Sequence, residues 1–192
     1  MALDLLAHPS YVIRRKFLKL FGNEFRVLDP AGNLVLFSQQ KAFKLREDFR
    51  VWAGEDMQTE ILWMQARKII DFASAYDVID STTGQKVGAF KRKGLKSIIR
   101  DEWILMDVND QEIGIFQEDS VAMAILRRII GIIPQKFHMD VGNALVARLS
   151  QNWNPFLLKM TVDFTPDTQG LLDRRLGIAI AILHSAIEGR QS

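Results

Sequence analysis

Apolar and polar residues alternate in short stretches along much of the chain, and turn-forming residues separate the stretches. Alternation with a period of two is typical of a β-strand with one buried face. FRVLD, from Phe25, and YDVID, from Tyr76, show this pattern, and DPAG or DSTTG completes a turn in which Asp, Pro and Gly are favoured. Return strands follow, as in NLVLF and QKVGAF. The pattern therefore predicts a series of β-hairpins.

The hairpins repeat at a nearly constant period. Four units each begin near a lysine, at spacings of 25, 27 and 25 residues, and a fifth, looser unit follows. Two or three strands per unit predict a sheet of roughly ten to fifteen strands, and a sheet of that size tends to close on itself. The lysines are Lys16, Lys41, Lys68 and Lys93, and the aromatic residues that follow them are Phe25, Phe49, Tyr76 and Trp103. We therefore expect a mainly β protein, a closed antiparallel barrel of about twelve strands.

Two segments carry helical patterns instead. Near residues 120–133, apolar residues recur at helical spacing between a candidate N-cap, Ser120, and a stop at Pro134. The second segment, Leu176–Ile187, contains no Asp, Glu, Lys or Arg and is apolar on all sides. As a helix its twelve residues reach only ~18 Å, against a bilayer core of ~30 Å. We therefore expect a buried helix over about 173–188 that fills the barrel, with no transmembrane span.

Composition narrows the class of protein. The 192 residues suit one domain, with a core over about 11–189, and nearly half of them are hydrophobic. A net charge of +2 disfavours a dedicated nucleic-acid binder. Cysteine is absent, which excludes disulfides and thiolate chemistry, and the amino terminus does not resemble a secretory signal. We expect a cytoplasmic protein that is at most peripheral to a membrane.

In five longer motifs the sequence resembles a known protein family. They are YDVIDSTTGQKVGAFKRK, WILMDVNDQEIGIFQED, ILRRIIGIIPQKF, NWNPFLLKMTVDF and LDRRLGIAIAILHSAI, in this order along nearly the whole chain. In them the sequence resembles the tubby carboxy-terminal-like superfamily. It is most similar to the short prokaryotic members related to phospholipid scramblases and to LURP-one-related proteins. The resemblance implies a twelve-stranded barrel around a C-terminal helix.

The functions that the resemblance implies diverge. Tubby proteins bind phosphoinositides at the barrel surface, and scramblases are associated with calcium-dependent movement of lipids between leaflets. This chain lacks the proline-rich amino-terminal extension of animal scramblases and the cysteines that would carry acyl chains, and almost nothing follows its final helix. Stable anchoring takes two signals, so we expect reversible contact with a membrane rather than insertion.

Basic residues are the candidate lipid-binding residues. The segment KRKGLKSIIR contains Lys91, Arg92, Lys93 and Lys96. Cations near an anionic membrane contribute ~1 kcal/mol each. A solvated hairpin face is the alternative interpretation, since lysine is also common on exposed strands, where it opposes pairing with another chain. A second segment, RRKFLK, contains Arg14, Arg15, Lys16 and Lys19.

The sequence offers few candidates for metal-binding or catalytic residues. The resemblance to scramblases makes Asp163, Asp167 and Asp173 weak calcium candidates, although Asp173 equally suits a helix cap. The histidines are scattered, and no nucleotide-binding, nucleophile-elbow or zinc-protease motif is present. We therefore expect no enzymatic activity, no cofactor and no resident metal.

Several hypotheses remain. The first is a non-enzymatic lipid-headgroup or membrane-surface binding module that contacts anionic phospholipid. Its alternatives are a genuine phospholipid scramblase and a protein-interaction scaffold without a small ligand, and a hydrolase or transferase comes last. No nucleic-acid partner is expected.

Overall fold

The computed structural model of the chain describes residues 5–18, 22–40, 48–67, 75–93, 102–119, 135–152 and 159–188. These residues form twelve β-strands followed by a helix, α1, at Arg174–Glu188. The strands are β1 Ser10–Leu18, β2 Gly22–Leu28, β3 Leu34–Gln40, β4 Phe49–Trp52, β5 Glu60–Ala66, β6 Ala75–Asp80, β7 Gln85–Arg92, β8 Glu102–Met106, β9 Glu112–Glu118, β10 Lys136–Val141, β11 Ala144–Gln151 and β12 Lys159–Asp163. The helix predicted near 120–133 lies outside the described residues.

The strands form one closed antiparallel barrel, as the alternation predicted. Each strand pairs with its neighbours in the chain, and β1 pairs with β12 to close the ring, with Ser10 opposite Asp163 and Arg14 opposite Lys159. Consecutive antiparallel strands make the connections alternate between two ends of the barrel. We call the end with the β2–β3 turn, at which α1 begins, the proximal end. The opposite end, at which β1 and β7 finish, is the distal end.

Aspartates recur at the proximal turns, at Asp29, Asp80 and Asp107, whereas Asp140 lies within β10. The Asp29 carboxylate accepts a hydrogen bond from the backbone N–H of Asn33 at 2.8 Å, and the Asp107 carboxylate accepts one from the N–H of Asn109 at 2.8 Å. Asp80 receives the N–H of Thr82 in the same way, and its turn closes on Gly84 with φ 71°, a value that favours glycine. The turn chemistry thus explains the repeated carboxylates.

The aromatic residues of the repeat face the inside of the barrel. Phe25, Phe49, Tyr76 and Trp103 are all buried. Ring contacts join Phe49 to Tyr76, Tyr76 to Phe90 on β7, and Phe90 to Trp103, whose centroids are 5.8 Å apart. Each hairpin therefore contributes large side chains to one shared core.

Helix α1 fills the interior, which confirms the prediction drawn from its apolar sequence. Ile178, Ala181 and Leu183 have no exposed surface although they point in different directions around the helix. Its small residues permit close packing: a Cβ added to Gly177 would lie 2.7 Å from the Phe164 ring. No helix among the described residues combines the length and apolar character needed to cross a bilayer.

Candidate functional site

We call Lys91, Arg92, Lys93 and Lys96 the β7 cluster, and Arg14, Arg15, Lys16 and Lys19 the β1 cluster. The described members of the β7 cluster lie where β7 ends, at the distal end of the barrel. Strand alternation places Phe90 inside, and Lys91 points outward and is exposed. Arg92 is in register with the buried Trp103, which places it on the inward side of the sheet. Lys93 follows the strand and forms an ion pair with Glu102. Lys96 lies outside the described residues.

The described residues of the β7 cluster therefore differ in how accessible their positive charges are to an external ligand. The ammonium group of Lys91 is directed to solvent, whereas the charge of Lys93 is shared with a carboxylate across the β7–β8 ladder. The Lys93 side chain remains 43% exposed while Glu102 is 17% exposed. A partly exposed ion pair contributes little to stability, so an external phosphate group could compete for Lys93. Among the described members, Lys91 is the more available cation.

The β1 cluster ends at the same end of the barrel. Arg14 and Lys16 are exposed on the outer face of β1, and Arg15 points inward, where its guanidinium donates a hydrogen bond of 3.5 Å to the Ser185 carbonyl oxygen near the end of α1. A cation there complements the negative end of the helix dipole. In the closed strand order β1 and β7 lie on opposite sides, so Lys16 and Lys91 flank the distal end. Arg14 is in register with Arg26 in the middle of β2 and therefore lies on the barrel side. Lys19 is outside the described residues.

Several basic residues on the barrel side differ from these because they are paired. The Arg67 guanidinium donates to Asp77 at 2.9 Å and also contacts Asp110, which in turn contacts Lys86. Hydrogen bonding to Asp77 is the main cause that raises the pKa of Arg67. Arg26 and Arg50 are likewise paired, with Glu55 and with Glu60. Among the described residues, the exposed cations without an ion pair are Lys16, Lys91 and Lys136 toward the distal end, and Arg14 and Arg148 on the barrel side.

The calcium candidates lie at the proximal end, and each binds the nearby backbone. The two carboxylate oxygens of Asp167 accept the N–H groups of Leu171 and Leu172 at 2.8 and 3.1 Å. Asp163 accepts the N–H of Thr165, at 2.9 Å. Within the described ranges, no three His, Asp or Glu side chains gather in a way that could hold a metal ion.

Asp173 is the N-cap of α1. Its carboxylate accepts the backbone N–H of Arg175 at 2.9 Å, and its carbonyl oxygen accepts the N–H of Gly177 at 3.1 Å. The same carboxylate forms a bidentate pair with the Arg175 guanidinium. Arg175 also reaches the buried Asp80 on β6. These contacts fix the start of the helix in the barrel.

His138 forms a polar cluster on the outer face of β10. Its Nδ1 lies 2.5 Å from an Asp119 oxygen, and its Nε2 lies 2.8 Å from the Gln117 amide nitrogen and 3.4 Å from an Asp140 oxygen. Both ring nitrogens are therefore occupied by neighbouring side chains. A histidine that acts as a general base needs one nitrogen directed at the substrate, so this arrangement is better suited to structural hydrogen bonding.

Sequence reasoning missed a set of polar side chains that face inward near the distal end. Asn23 and Gln40 are 5% exposed, and the Asn23 amide donates to the Gln40 oxygen at 3.4 Å. Glu118 and Gln135 are 4% exposed, at the ends of β9 and β10. All occupy positions where the inner face would otherwise be apolar. Their signal in the sequence is a polar residue in the inward phase of a strand.

Comparison with solved structures finds similarity over most of the chain. An X-ray structure of the protein AT5G01750 from Arabidopsis thaliana is similar to this chain, with 12% sequence identity and a TM-score of 0.49. The similarity covers 94% of this chain and 93% of that chain. No protein-family model and no curated protein match the sequence.

Proposed function

We propose that the protein is a non-enzymatic, tubby-like and scramblase-related barrel that binds anionic phospholipid headgroups through its distal end. The observation that carries the proposal is the exposed Lys91, which forms no ion pair with a described residue, together with the exposed Lys16 on the opposite side of the same end. The sequence resemblance to phosphoinositide-binding tubby proteins adds support. In this proposal the barrel axis stands steeply on the membrane, with α1 ending toward the lipid.

The energetics favour weak, reversible binding. A cation close to an anionic membrane contributes ~1 kcal/mol, so four together add on the order of 4 kcal/mol to a weak background at low salt, which is about a thousandfold in affinity. Arginine adds bidentate contacts to phosphate, whereas lysine acts as a point charge. The Debye length of about 8 Å at physiological ionic strength means that added salt should weaken the binding.

The test is co-sedimentation with vesicles. Wild type and the variant Lys91→Glu, Arg92→Glu, Lys93→Glu, Lys96→Glu are compared on anionic and neutral vesicles over a range of salt concentrations. We expect wild type to bind anionic vesicles only, with affinity that falls as salt rises, and the variant to bind weakly. Equal binding of both proteins would remove the β7 cluster from the mechanism.

A matched pair of single substitutions sharpens the result. Lys91→Gln removes an exposed, unpaired charge, whereas Lys93→Gln removes a charge that Glu102 already partly neutralises. We expect the first to reduce vesicle binding more, by about fivefold, since ~1 kcal/mol is lost. A larger effect of Lys93→Gln would contradict the division of the cluster. Circular dichroism and thermal melts check that both variants fold.

The competing function is a protein-interaction scaffold. It is favoured by the exposed carboxylates and exposed apolar side chains of the proximal turns, such as Asp56, Val108 and Leu171. Failure of wild type to bind any anionic vesicle at low salt would favour the scaffold. Transfer of labelled lipid between leaflets of protein-containing vesicles would instead favour a genuine scramblase.

A further inference from the structure

Three cations lie side by side on the outer wall of the barrel, where its first and last strands meet. Arg14 on β1 is in register with Arg26 on β2 and, on its other side, with Lys159 on β12. The neighbouring residues Ile13 and Met160 are buried, so the Arg14 and Lys159 side chains point away from the core. Directly opposed side chains have Cβ atoms about 4.5–5.5 Å apart, and like charges in such positions destabilise a sheet. The row therefore lowers the stability of the seam that closes the barrel.

Carboxylates compensate one member of this row. Arg26 forms ion pairs with Glu24 at 2.9 Å and with Glu55 at 2.7 Å. Within the described residues, Arg14 and Lys159 form no ion pair, and Arg14 is exposed. Two adjacent positive charges on β1 and β12 therefore receive no counter-charge from the part of the protein that the structure describes.

Other acidic residues along this seam are distant or engaged elsewhere. On β12 the next acidic residue is Asp163, four residues from Lys159 and therefore about 13 Å away along the strand. The Asp163 carboxylate accepts the backbone N–H and the hydroxyl of Thr165 at 2.9 and 2.7 Å. The connections from β1 to β2 and from β11 to β12 include residues 19–21 and 153–158, which contain no Asp or Glu. These connections therefore supply no negative charge to the row.

Two hydroxyl groups lie beside the cations on the same face of the wall. Thr161 on β12 is exposed and in register with Ser150 on β11, which is exposed as well. Thr161 is two residues from Lys159, so the two side chains point to the same side of the sheet, about 7 Å apart along the strand. Among the described residues, neither hydroxyl forms a hydrogen bond with another group. Both hydroxyls are therefore available to donate to an external oxygen atom.

We propose that Arg14, Lys159 and Thr161 form a binding site for a phosphate monoester on the wall of the barrel, with Ser150 at its edge. The planar guanidinium of Arg14 contacts two phosphate oxygens, and Lys159 adds a point charge. A phosphate monoester carries a charge of about −2 and three terminal oxygens, so it balances both cations and removes the repulsion between them. A carboxylate or a phosphodiester carries a single charge and leaves one cation unbalanced.

The same chemical group occurs in soluble phosphate esters and in lipids such as phosphatidic acid. The site goes beyond the lipid contact at the distal end and does not rest on it, because it shares no residue with the β7 cluster. The ester and the lipid present the same terminal oxygens to the wall. Separate measurements therefore distinguish the two sources.

The test is a titration with glycerol 3-phosphate at constant ionic strength, followed by the NMR shifts of backbone amides and by the melting temperature. Wild type is compared with Arg14→Gln and Lys159→Gln. Arg148→Gln is the matched control. Arg148 is exposed on β11 without an ion pair to a described residue, but it is in register with Asp163 rather than with the row of cations.

We expect the ester to shift the amides of Thr161 and Ser150. Arg14→Gln and Lys159→Gln should each weaken binding about fivefold, and the control should bind within about twofold of wild type. Without ligand, Arg14→Gln should melt at or above the wild-type temperature, because the repulsion with Lys159 is removed. The ester should raise the melting temperature of wild type more than that of Arg14→Gln, which separates lost binding from lost folding.

Vesicles identify the source of the phosphate group. Phosphatidic acid presents a phosphate monoester on a lipid, whereas phosphatidylserine presents negative charge without one. If wild type prefers vesicles with phosphatidic acid and Arg14→Gln does not, the ligand is a lipid headgroup. If wild type binds glycerol 3-phosphate without this preference, the ligand is a soluble ester.

Three results would overturn the proposal. One is a wild type that neither binds glycerol 3-phosphate nor prefers phosphatidic acid to phosphatidylserine. The second is equal binding by wild type, Arg14→Gln and Lys159→Gln. The third is loss of glycerol 3-phosphate binding in the variant with all four residues of the β7 cluster changed to Glu. That variant should bind the ester like wild type, so failure of the lipid contact at the distal end leaves the wall site unaffected.

Discussion

The Arg175 guanidinium on α1 donates a hydrogen bond of 2.7 Å to the carboxylate of Asp80, which is 3% exposed at the end of β6. The two residues are 95 positions apart in the chain. Arg175 also holds Asp173, the helix cap, so one side chain ties the start of the helix to the barrel wall. This contact sets the position of the central helix.

Replacing Asp80 by Asn should destabilise the fold by about 2 kcal/mol, because a hydrogen bond to a charged group is lost in a buried setting. The melting temperature should fall by roughly 4–8 °C for a chain of this size. Asp107→Asn is the matched control, since Asp107 makes the same turn contacts on the barrel surface and pairs with no described Arg or Lys. Equal losses in the two variants would contradict a special role for the Asp80–Arg175 pair.

Stability should depend on pH through the paired carboxylates. Burial alone would raise the pKa of Asp80, but hydrogen bonds from Thr82 and Arg175 outweigh it and lower the pKa below the usual 3.8. A carboxyl whose pKa is lower in the folded state stabilises the protein above its unfolded pKa, and this contribution is lost as the pH falls through the folded value. We expect a flat melting temperature from pH 7 to about 5 and a decline below about pH 4. The Asp80→Asn variant should decline less, and parallel curves would contradict this assignment.

Gly177→Ala tests the close contact between α1 and the residue that follows β12. In an exposed helix this change would stabilise by about 1 kcal/mol. Here the new Cβ would lie 2.7 Å from Cε1 of Phe164, so we expect a loss of stability instead. Adding Phe164→Leu should recover part of the loss, which a double-mutant cycle in urea would measure. Strict additivity of the two changes would show that they do not interact.

Ala181→Arg tests the burial of the helix itself. Ala181 has no exposed surface, and an unpaired charge buried there costs several kcal/mol. We expect the variant to lose its cooperative thermal transition. Thr161→Arg, on the exposed face of β12, is the control and should remain folded. A cooperative melt of the Ala181→Arg protein near the wild-type temperature would be inconsistent with a buried helix.

Much of this architecture is predictable because it depends on local patterns. Alternation predicted the strands, Asp and Gly predicted the turns, and an apolar stretch too short for a bilayer predicted the central helix. These signals occur within a few residues of one another. The Asp80–Arg175 contact could not be predicted in this way, because it depends on how deeply the helix enters the closed barrel.

The candidate site was predicted less completely. The sequence shows that Lys91, Arg92 and Lys93 are basic, but not that the second faces inward and the third pairs with Glu102. Those facts depend on the register between β7 and β8, which the alternation within a single strand does not define. The side of the sheet on which Phe37 lies is a second example. Phe37 is apolar but lies on the outer face, where the Arg26 guanidinium is 5.5 Å from its ring centroid.

The position of α1 after all twelve strands has a consequence for biosynthesis. The ring cannot close until β12 has been synthesised, because β1 pairs with β12. The helix that occupies the interior leaves the ribosome after both strands. No early segment can therefore bury its inner face while the chain is still growing, and most stabilising contacts join residues far apart. The nascent strands expose unpaired edges during translation, which makes this chain a natural client for chaperones that shield such edges.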